Sequence, residues 1–346
     1  VATVNQFCFR ADASHAIGFG HVMRCLALAD MLAQRGLSSL FIAAPEGSAL
    51  AQEVVRRRHT MQVLPKQPRD SAEDAQLTQA VLRHRPNWLI VDHYGLDQRW
   101  EQSMRVLGAP ILAIDDLERR HDCDLLLDQN LLDGSNPYRH LLPPQCRPLL
   151  GPQYALLRPE FALLRQGMRP RAQLRHILLS FGGSDPENET GKALHGVLAS
   201  SFSGTIEVVI GQAYAHQSTL LPLVAQGGAR LSLQVQITNM AERMLAADLA
   251  IGAGGTASWE RCCLGLPSVI TILADNQIAI AQRLQQAGAA LTLGHAKSLQ
   301  PADYTHILHT LLPERLRALS HSAAQLVDGL GTARVAAALF PLTQTG

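Results

Sequence analysis

Short runs of Val, Ile and Leu recur along the chain and alternate with longer stretches whose apolar residues follow helical spacing. Parallel strands covered on both faces by crossover helices read this way, because neither face meets water and strict alternation is lost. The pattern predicts strands at Gln6–Arg10, Ser39–Ala43, Met61–Leu64, Trp88–Asp92, Ile111–Asp115 and Leu125–Asp128. A second series falls at His176–Phe181, Ile206–Gly211, Leu231–Gln236, Leu249–Gly252, Ser268–Ile272 and Ala290–Leu293. Behind the first strand, Val22, Leu26, Ala29 and Ala33 share one face and Gly36 stands where a C-terminal cap belongs, which predicts a helix over Val22–Arg35. The expected fold class is α/β, with doubly wound parallel sheets.

The rhythm occurs twice without sequence self-similarity, so two domains are expected, over residues 1–150 and 176–346. Residues 151–175 carry three prolines and no sustained alternation, which reads as an inter-domain connection. The last helix is a candidate to pack back on the first domain. Open parallel sheets bind ligands beyond the carboxyl ends of their strands, so the loops there, and a cleft between the two domains, are the expected site.

Composition narrows the function classes. With 346 residues, 47% of them hydrophobic, the chain can bury large cores. Thirty basic residues against twenty-nine acidic ones leave a net charge of +1, which gives no overall pull toward nucleic acid or an anionic membrane. The run "RRRH" at 56–59 reads as a solvated helix end. Six cysteines show no CxxC or Cys/His metal spacing, which fits reduced thiols. Arg10, Asp12 and Arg24 interrupt the first thirty residues, so neither a signal peptide nor a membrane anchor is expected, and no apolar run approaches the roughly 20 residues of a spanning helix. A cytoplasmic protein is the expectation.

Three glycine turns carry the candidate chemistry. In "RADASHAIGFGHVMRCLALADMLAQRG" Gly18 and Gly20 come late after the strand and Arg24 stands where a dinucleotide fingerprint has its third glycine, which disfavours a nicotinamide enzyme. His21 lies at the helix N-terminus, whose positive end keeps an imidazole neutral and able to accept a proton; a hydrogen bond to a loop carbonyl explains it equally well. In "AIGAGGTASWERCCLGLPSV" Gly252, Gly254 and Gly255 let backbone amides approach a phosphate and Thr256 adds a hydroxyl, while the missing Walker lysine argues against nucleotide triphosphate hydrolysis. Glu260 sits four residues after Thr256, one beyond a capping-box position, and suits either a ribose hydroxyl or a helix surface. In "LLSFGGSDPENETGKAL" Gly182 and Gly183 permit close approach of phosphate, whereas Ser184 and Glu187 spell a capping box that explains Ser184 by structure alone.

In order along the chain stand "FRADAS", "IGFGHVMRCLALA", "VDHYGLD", "AIDDLERRHDCDLLLDQN", "GPQYALLRPEF", "LSFGGSDPEN", "MAERMLAADLAIGAGGTASWE" and "GLPSVITILADNQ". Jointly they resemble the nucleotide-sugar hydrolases of pseudaminic acid biosynthesis and, more distantly, the lipid-linked N-acetylglucosaminyltransferases of peptidoglycan synthesis, over most of Phe9 to Gln277. The resemblance implies a GT-B architecture, two Rossmann-like domains facing a central cleft. It also implies hydrolysis of UDP-2,4-diacetamido-2,4,6-trideoxy-β-L-altropyranose to free sugar and UDP, with no metal or other cofactor. His21 matches the family's catalytic histidine and becomes the general base. Tyr94 and Asn276 would orient water and sugar, and Arg10 and Asp12, with Gly18 and Gly20, would edge the sugar pocket. Gly182, Gly183, Ser184, Gly254, Gly255 and Thr256 would take the diphosphate, Glu260 the ribose, and backbone near Met240 the uracil edge. Apart from the resemblance, Tyr94 reads as a packing ring and Asn276 as a helix cap.

Water arriving opposite UDP would give inversion and C–O cleavage. Asp115 and Asp116 invite a metal reading, but at a strand end they are expected to cap or line a loop. A glycosyltransferase, with an acceptor hydroxyl in place of water, would use the same fold. A non-catalytic UDP-sugar-binding protein would need no histidine at position 21.

Overall fold

The computed structural model describes residues 6–14 and 18–340; the start of the chain and Ile17 of the first glycine motif lie outside them. Residues up to Pro159, joined by those from Leu330 onward, form one compact unit, and Glu160–Gly329 form the other. The first unit holds β1 (Gln6–Ala11), β2 (Ser38–Ala43), β3 (Thr60–Val63), β4 (Trp88–Asp92), β5 (Ile111–Ile114), β6 (Leu125–Asp128) and β7 (Arg147–Leu150). They make one parallel sheet in the order β3-β2-β1-β4-β5-β6-β7. The second holds β8 (His176–Ser180), β9 (Thr205–Ile210), β10 (Leu231–Val235), β11 (Leu249–Ala253), β12 (Ser268–Ile272) and β13 (Leu291–His295). These are again parallel, in the order β10-β9-β8-β11-β12-β13.

The chain feeds both faces of the first sheet. Phe7, Phe9 and Ala11 of β1 pack with Val22, Leu26 and Ala29 of the helix Gly20–Ala33, while Cys8 faces a separate core that contains Leu89, Val91 and Trp100. Burying a helix stripe of this kind stabilises by about 1.5–3 kcal/mol per large apolar side chain. The helix Gly331–Ala338 closes over the first of these cores through Val335 and Ala336, and Trp88 Nε1 donates to the Leu339 carbonyl at 2.7 Å. This is why residues 330–340 belong with the first unit.

Three differences from the sequence reading have physical causes. Strand β7 was not expected: its sequence "RPLL" carries Pro148, which a sheet tolerates at an edge, and β7 is the edge strand beside β6. The first helix begins at Gly20, so His21 lies within its first turn. Residues 151–175, which contain the boundary between the units, divide between them rather than standing apart from both. Residues 151–159 stay with the first unit, and the rest is fastened to the second by buried Arg171, which donates to the carbonyls of Met244, Leu245, Ala247, Leu264 and Gly265.

In each sheet the direction of winding reverses once, between β1 and β4 and between β8 and β11. Ligand crevices of open parallel sheets lie beyond the carboxyl ends of the strands at such a reversal. The glycine turns after β1, β8 and β11 all fall there. No helix among the described residues is long and apolar enough to cross a membrane.

Candidate functional site

At the first reversal, β1 ends in Ala11 and its neighbour β4 in Asp92, paired side by side. His21 enters from the helix behind β1, and its Nδ1 lies 2.5 Å from Asp92 Oδ1. Arg24, one turn further along that helix, donates from Nε and Nη2 to the two oxygens of the same carboxylate, each at 2.6 Å. All three side chains are buried. Burial opposes ionisation of Asp92, but the Arg24 charge, with His21 beside it, outweighs burial and holds its carboxyl well below the usual range. An ionised Asp92 must accept from Nδ1, which leaves Nε2 of His21 as the nitrogen able to take a proton. The carboxylate also stabilises the imidazolium formed by proton uptake, a function that the helix end does not provide. Tyr94 packs its ring edge-on to His21, with centroids 4.5 Å apart.

A second buried network adjoins the first. Arg10, expected at the pocket edge, is only 1% exposed and binds Asp12 and Asp74 through its guanidinium. It therefore anchors Asp12. That carboxylate also meets Ala44 N at 2.9 Å and His93 Nε2 at 3.1 Å. Burial opposes its ionisation, and the His93 and Arg10 contacts outweigh burial and depress it. The paired aspartates separate by role. Asp115 is wrapped by Arg119, the Leu117 and Arg119 amides and the Tyr138 hydroxyl, whereas Asp116 faces the Tyr94 hydroxyl at 3.4 Å and Arg24 at 3.7 Å. Asp115 thus holds its loop. Gly18 has φ of +88°, a Cβ added there would meet nothing within 4 Å among the described residues, and Gly20 opens the helix.

The second reversal is built from main chain. Gly182 and Gly183 follow β8, and Gly254–Thr256 follow β11 and lead into the helix Ala257–Cys263. Gly252 is required by close approach, since a Cβ there would collide with the Ser180 carbonyl of β8. The Gly254 amide donates to Gln277 Oε1 at 3.2 Å, and that oxygen also accepts from Leu273 N at 3.0 Å. Glu260 lies half-buried on the helix, one position past where a capping-box residue would sit. Asn276 is exposed in the turn after β12, and Met240 opens the helix Met240–Ala246.

The capping box expected at Ser184 and Glu187 does not form. The helix starts later, at Glu189, and is capped by Asn188, which accepts from Gly191 N, and by Asp185, which accepts from the Glu189 and Thr190 amides. Asp185 and Asn188 adopt φ of 41° and 54°, so the loop runs on past the textual signal. Ser184 is not a cap, and capping no longer accounts for it.

Residues 179–335 match the family model of the glycosyltransferase family 28 C-terminal domain. The chain is 26% identical over 351 aligned residues, 96% of this chain and 97% of its counterpart, to the spore coat polysaccharide biosynthesis protein SpsG of Bacillus subtilis. It is 30% identical over 181 residues, 52% of this chain and 61% of the relative, to the UDP-2,4-diacetamido-2,4,6-trideoxy-beta-L-altropyranose hydrolase of Campylobacter jejuni. Among solved structures, MurG of Acinetobacter baumannii aligns with a TM-score of 0.70 at 17% identity, covering 96% of this chain and 98% of that one. The calicheamicin glycosyltransferase CalG4 aligns with a TM-score of 0.62 at 16% identity, covering 97% and 98%. The chain has the GT-B fold of these proteins.

Proposed function

We propose that this GT-B chain, glycosyltransferase-28-like in its second unit, is an enzyme that hydrolyses a UDP-sugar to free sugar and UDP. The substrate class is that of the partial Campylobacter relative, UDP-2,4-diacetamido-2,4,6-trideoxy-β-L-altropyranose. The observation that carries the reading is the pairing of His21 Nδ1 with Asp92, which leaves Nε2 to accept a proton from water. Water then attacks the anomeric carbon as the C–O bond to UDP breaks, giving inversion. The bond electrons leave with the diphosphate and the water proton passes to His21. General-base catalysis of this kind contributes roughly 10²–10⁴ in rate.

The remaining roles follow the same reading. Tyr94 and Asn276 orient water and sugar, and Asp12, anchored by Arg10, edges the sugar pocket with Gly18 and Gly20. Amides at Gly182, Gly183, Gly255 and Thr256, with the Ser184 hydroxyl, receive the charge that develops on the departing diphosphate, while the Gly254 amide is held by Gln277 Oε1 and shapes the turn. Glu260 takes the ribose and the backbone at Met240 the uracil edge.

Incubation with the UDP-sugar and no acceptor should release UDP, and His21→Ala should slow release about 10²–10⁴-fold while UDP binding is kept. Equal rates for the two proteins would overturn the assignment of the base, and release from both at only the uncatalysed rate would favour a binding protein. In ¹⁸O-water, label in UDP would instead mean attack at phosphorus. The family model over residues 179–335 supports a second reading, a glycosyltransferase. UDP release that requires an added hydroxyl acceptor would select it. Full turnover after exhaustive EDTA treatment is expected in either case.

A further inference from the structure

Four arginines are buried among the described residues, and one differs from the rest in how its charge is met. Arg10 and Arg24 hold carboxylates. Arg171 has none, but it gathers five carbonyls, including those at the ends of two helices, where the negative dipole ends offset a cation. Arg261, 3% exposed, forms no ion pair with a carboxylate among the described residues. Its Nη2 donates to the Ala253 carbonyl at 2.8 Å and to Ser258 Oγ at 2.9 Å, and its buried Nε has no partner. Burial pulls the guanidinium down to about 10, a fall that neighbouring Cys262 and Glu260 offset only in part, and it stays cationic at neutral pH. Holding an unpaired charge inside a protein is costly, and such a group is retained where something else meets the charge.

The place where this cation sits suggests what meets it. Arg261 folds back beneath the turn after β11, with Nη1 only 3.3 Å from the point that a Cβ on Gly252 would occupy. Its bond to the Ala253 carbonyl fixes one side of the peptide between Ala253 and Gly254. In a trans peptide the N–H points the opposite way, and there the Gly254 amide meets Gln277 Oε1. Arg261 and Gln277 therefore grip one peptide unit from its two sides. This sets the direction of the turn's backbone and leaves a positive charge directly below it.

We infer that Arg261 is a positioning residue for an anion: its buried guanidinium is the counter-charge of a phosphate or diphosphate group received by the backbone of the turn at Gly255 and Thr256, beyond the peptide that Arg261 and Gln277 hold. The inference rests on the reading that this turn holds the leaving diphosphate, and it adds a group that does not itself touch the ligand. The cation acts through the thickness of one peptide, where a low-dielectric surrounding screens it little. Without the anion it weakens the fold; with the anion bound the charge is matched.

The test is calorimetric titration of the full chain with inorganic pyrophosphate and, separately, with UDP. Arg261→Met should weaken pyrophosphate binding roughly ten-fold or more, while Arg261→Lys, which keeps the charge and loses the fork, should stay within about three-fold of wild type. Should the Met variant fail to fold, Arg261→Gln, which can still donate to the Ala253 carbonyl without a charge, takes its place. Uncharged variants within about two-fold of wild type, or a Lys variant as weak as the uncharged ones, would overturn the inference. Wild type that binds pyrophosphate but not UDP would overturn the nucleotide reading and leave the counter-charge standing. Wild type that binds UDP while Arg261→Met binds it equally well would do the reverse.

Discussion

At the reversal of the first sheet the chain gathers His21, Arg24, Asp92, Arg10, Asp12 and Asp74 into networks where each charge meets a counter-charge. At the reversal of the second, the same topological position is lined by glycines, and the buried Arg261 beside them forms no ion pair with a carboxylate among the described residues. The first arrangement suits a group that must hold one tautomer and one orientation, because paired charges fix a ring from several directions. The second suits a ligand that brings its own charge, because bare amides approach closely and a buried cation remains to be matched. The fold supplies the position, and the residues decide whether it is built from side chains or from backbone.

The largest test of this contrast is Asp92→Asn. It strips Arg24 and His21 of their shared carboxylate, and removing one partner of a buried pair costs about 3–5 kcal/mol. Trp88 and Trp100 report on the first unit and Trp259 on the second. In backgrounds that keep one reporter, urea unfolding should weaken at Trp100 and hold at Trp259. Comparable losses at both would break the comparison.

How legible these features were in the sequence follows the range of each interaction. Apolar runs marked most strands because fully buried parallel strands leave a local signal, and β7 escaped because Pro148 interrupts the only run it has. His21 was visible from its place at a helix start. Asp92 and Arg24 were present in the quoted motifs without a role, since their partnership spans 68 residues and no local pattern reports it. An aspartate closing an apolar strand was the one available clue. Arg10 was expected to face a ligand, but its side chain is fully engaged by Asp12 and by Asp74, which is 64 residues away. At Ser184 the reverse happened: a local signal was present, and the positive φ at Asp185 and Asn188 overrode it.

The pH dependence of stability should also divide the units. In the first, His121 lies between Glu101, 2.6 Å from Nδ1, and Asp115, 3.5 Å from Nε2. Burial disfavours its charged form, but the two carboxylates outweigh burial and raise it from 6.5 to about 9. A base raised in the folded state contributes stability that is complete below its unfolded value and is lost as pH rises through the folded one. Between pH 6.5 and about 9 the first unit should therefore lose roughly 2–3 kcal/mol. Urea midpoints at Trp100 across that range, compared with those of His121→Gln, check this. A slope unchanged by the substitution would assign the effect elsewhere.

The smallest effects come from two glycines that are glycine for different reasons. Gly252 lacks room for a side chain, so Gly252→Ala must push β11 from the Ser180 carbonyl, an overpacking cost of about 1–3 kcal/mol. At Gly18 a Cβ would meet nothing within 4 Å among the described residues, but the φ of +88° strains any L residue, so Gly18→Ala should cost about 1–2 kcal/mol. Asparagine separates the two causes, because it tolerates positive φ better than alanine yet is larger. Gly18→Asn should recover part of what Gly18→Ala loses, whereas Gly252→Asn should fall below Gly252→Ala. Thermal unfolding of the four variants decides it, and if asparagine moves stability in the same direction at both positions, close approach of β11 to β8 is not what demands glycine at 252 and the difference between the two reversals disappears.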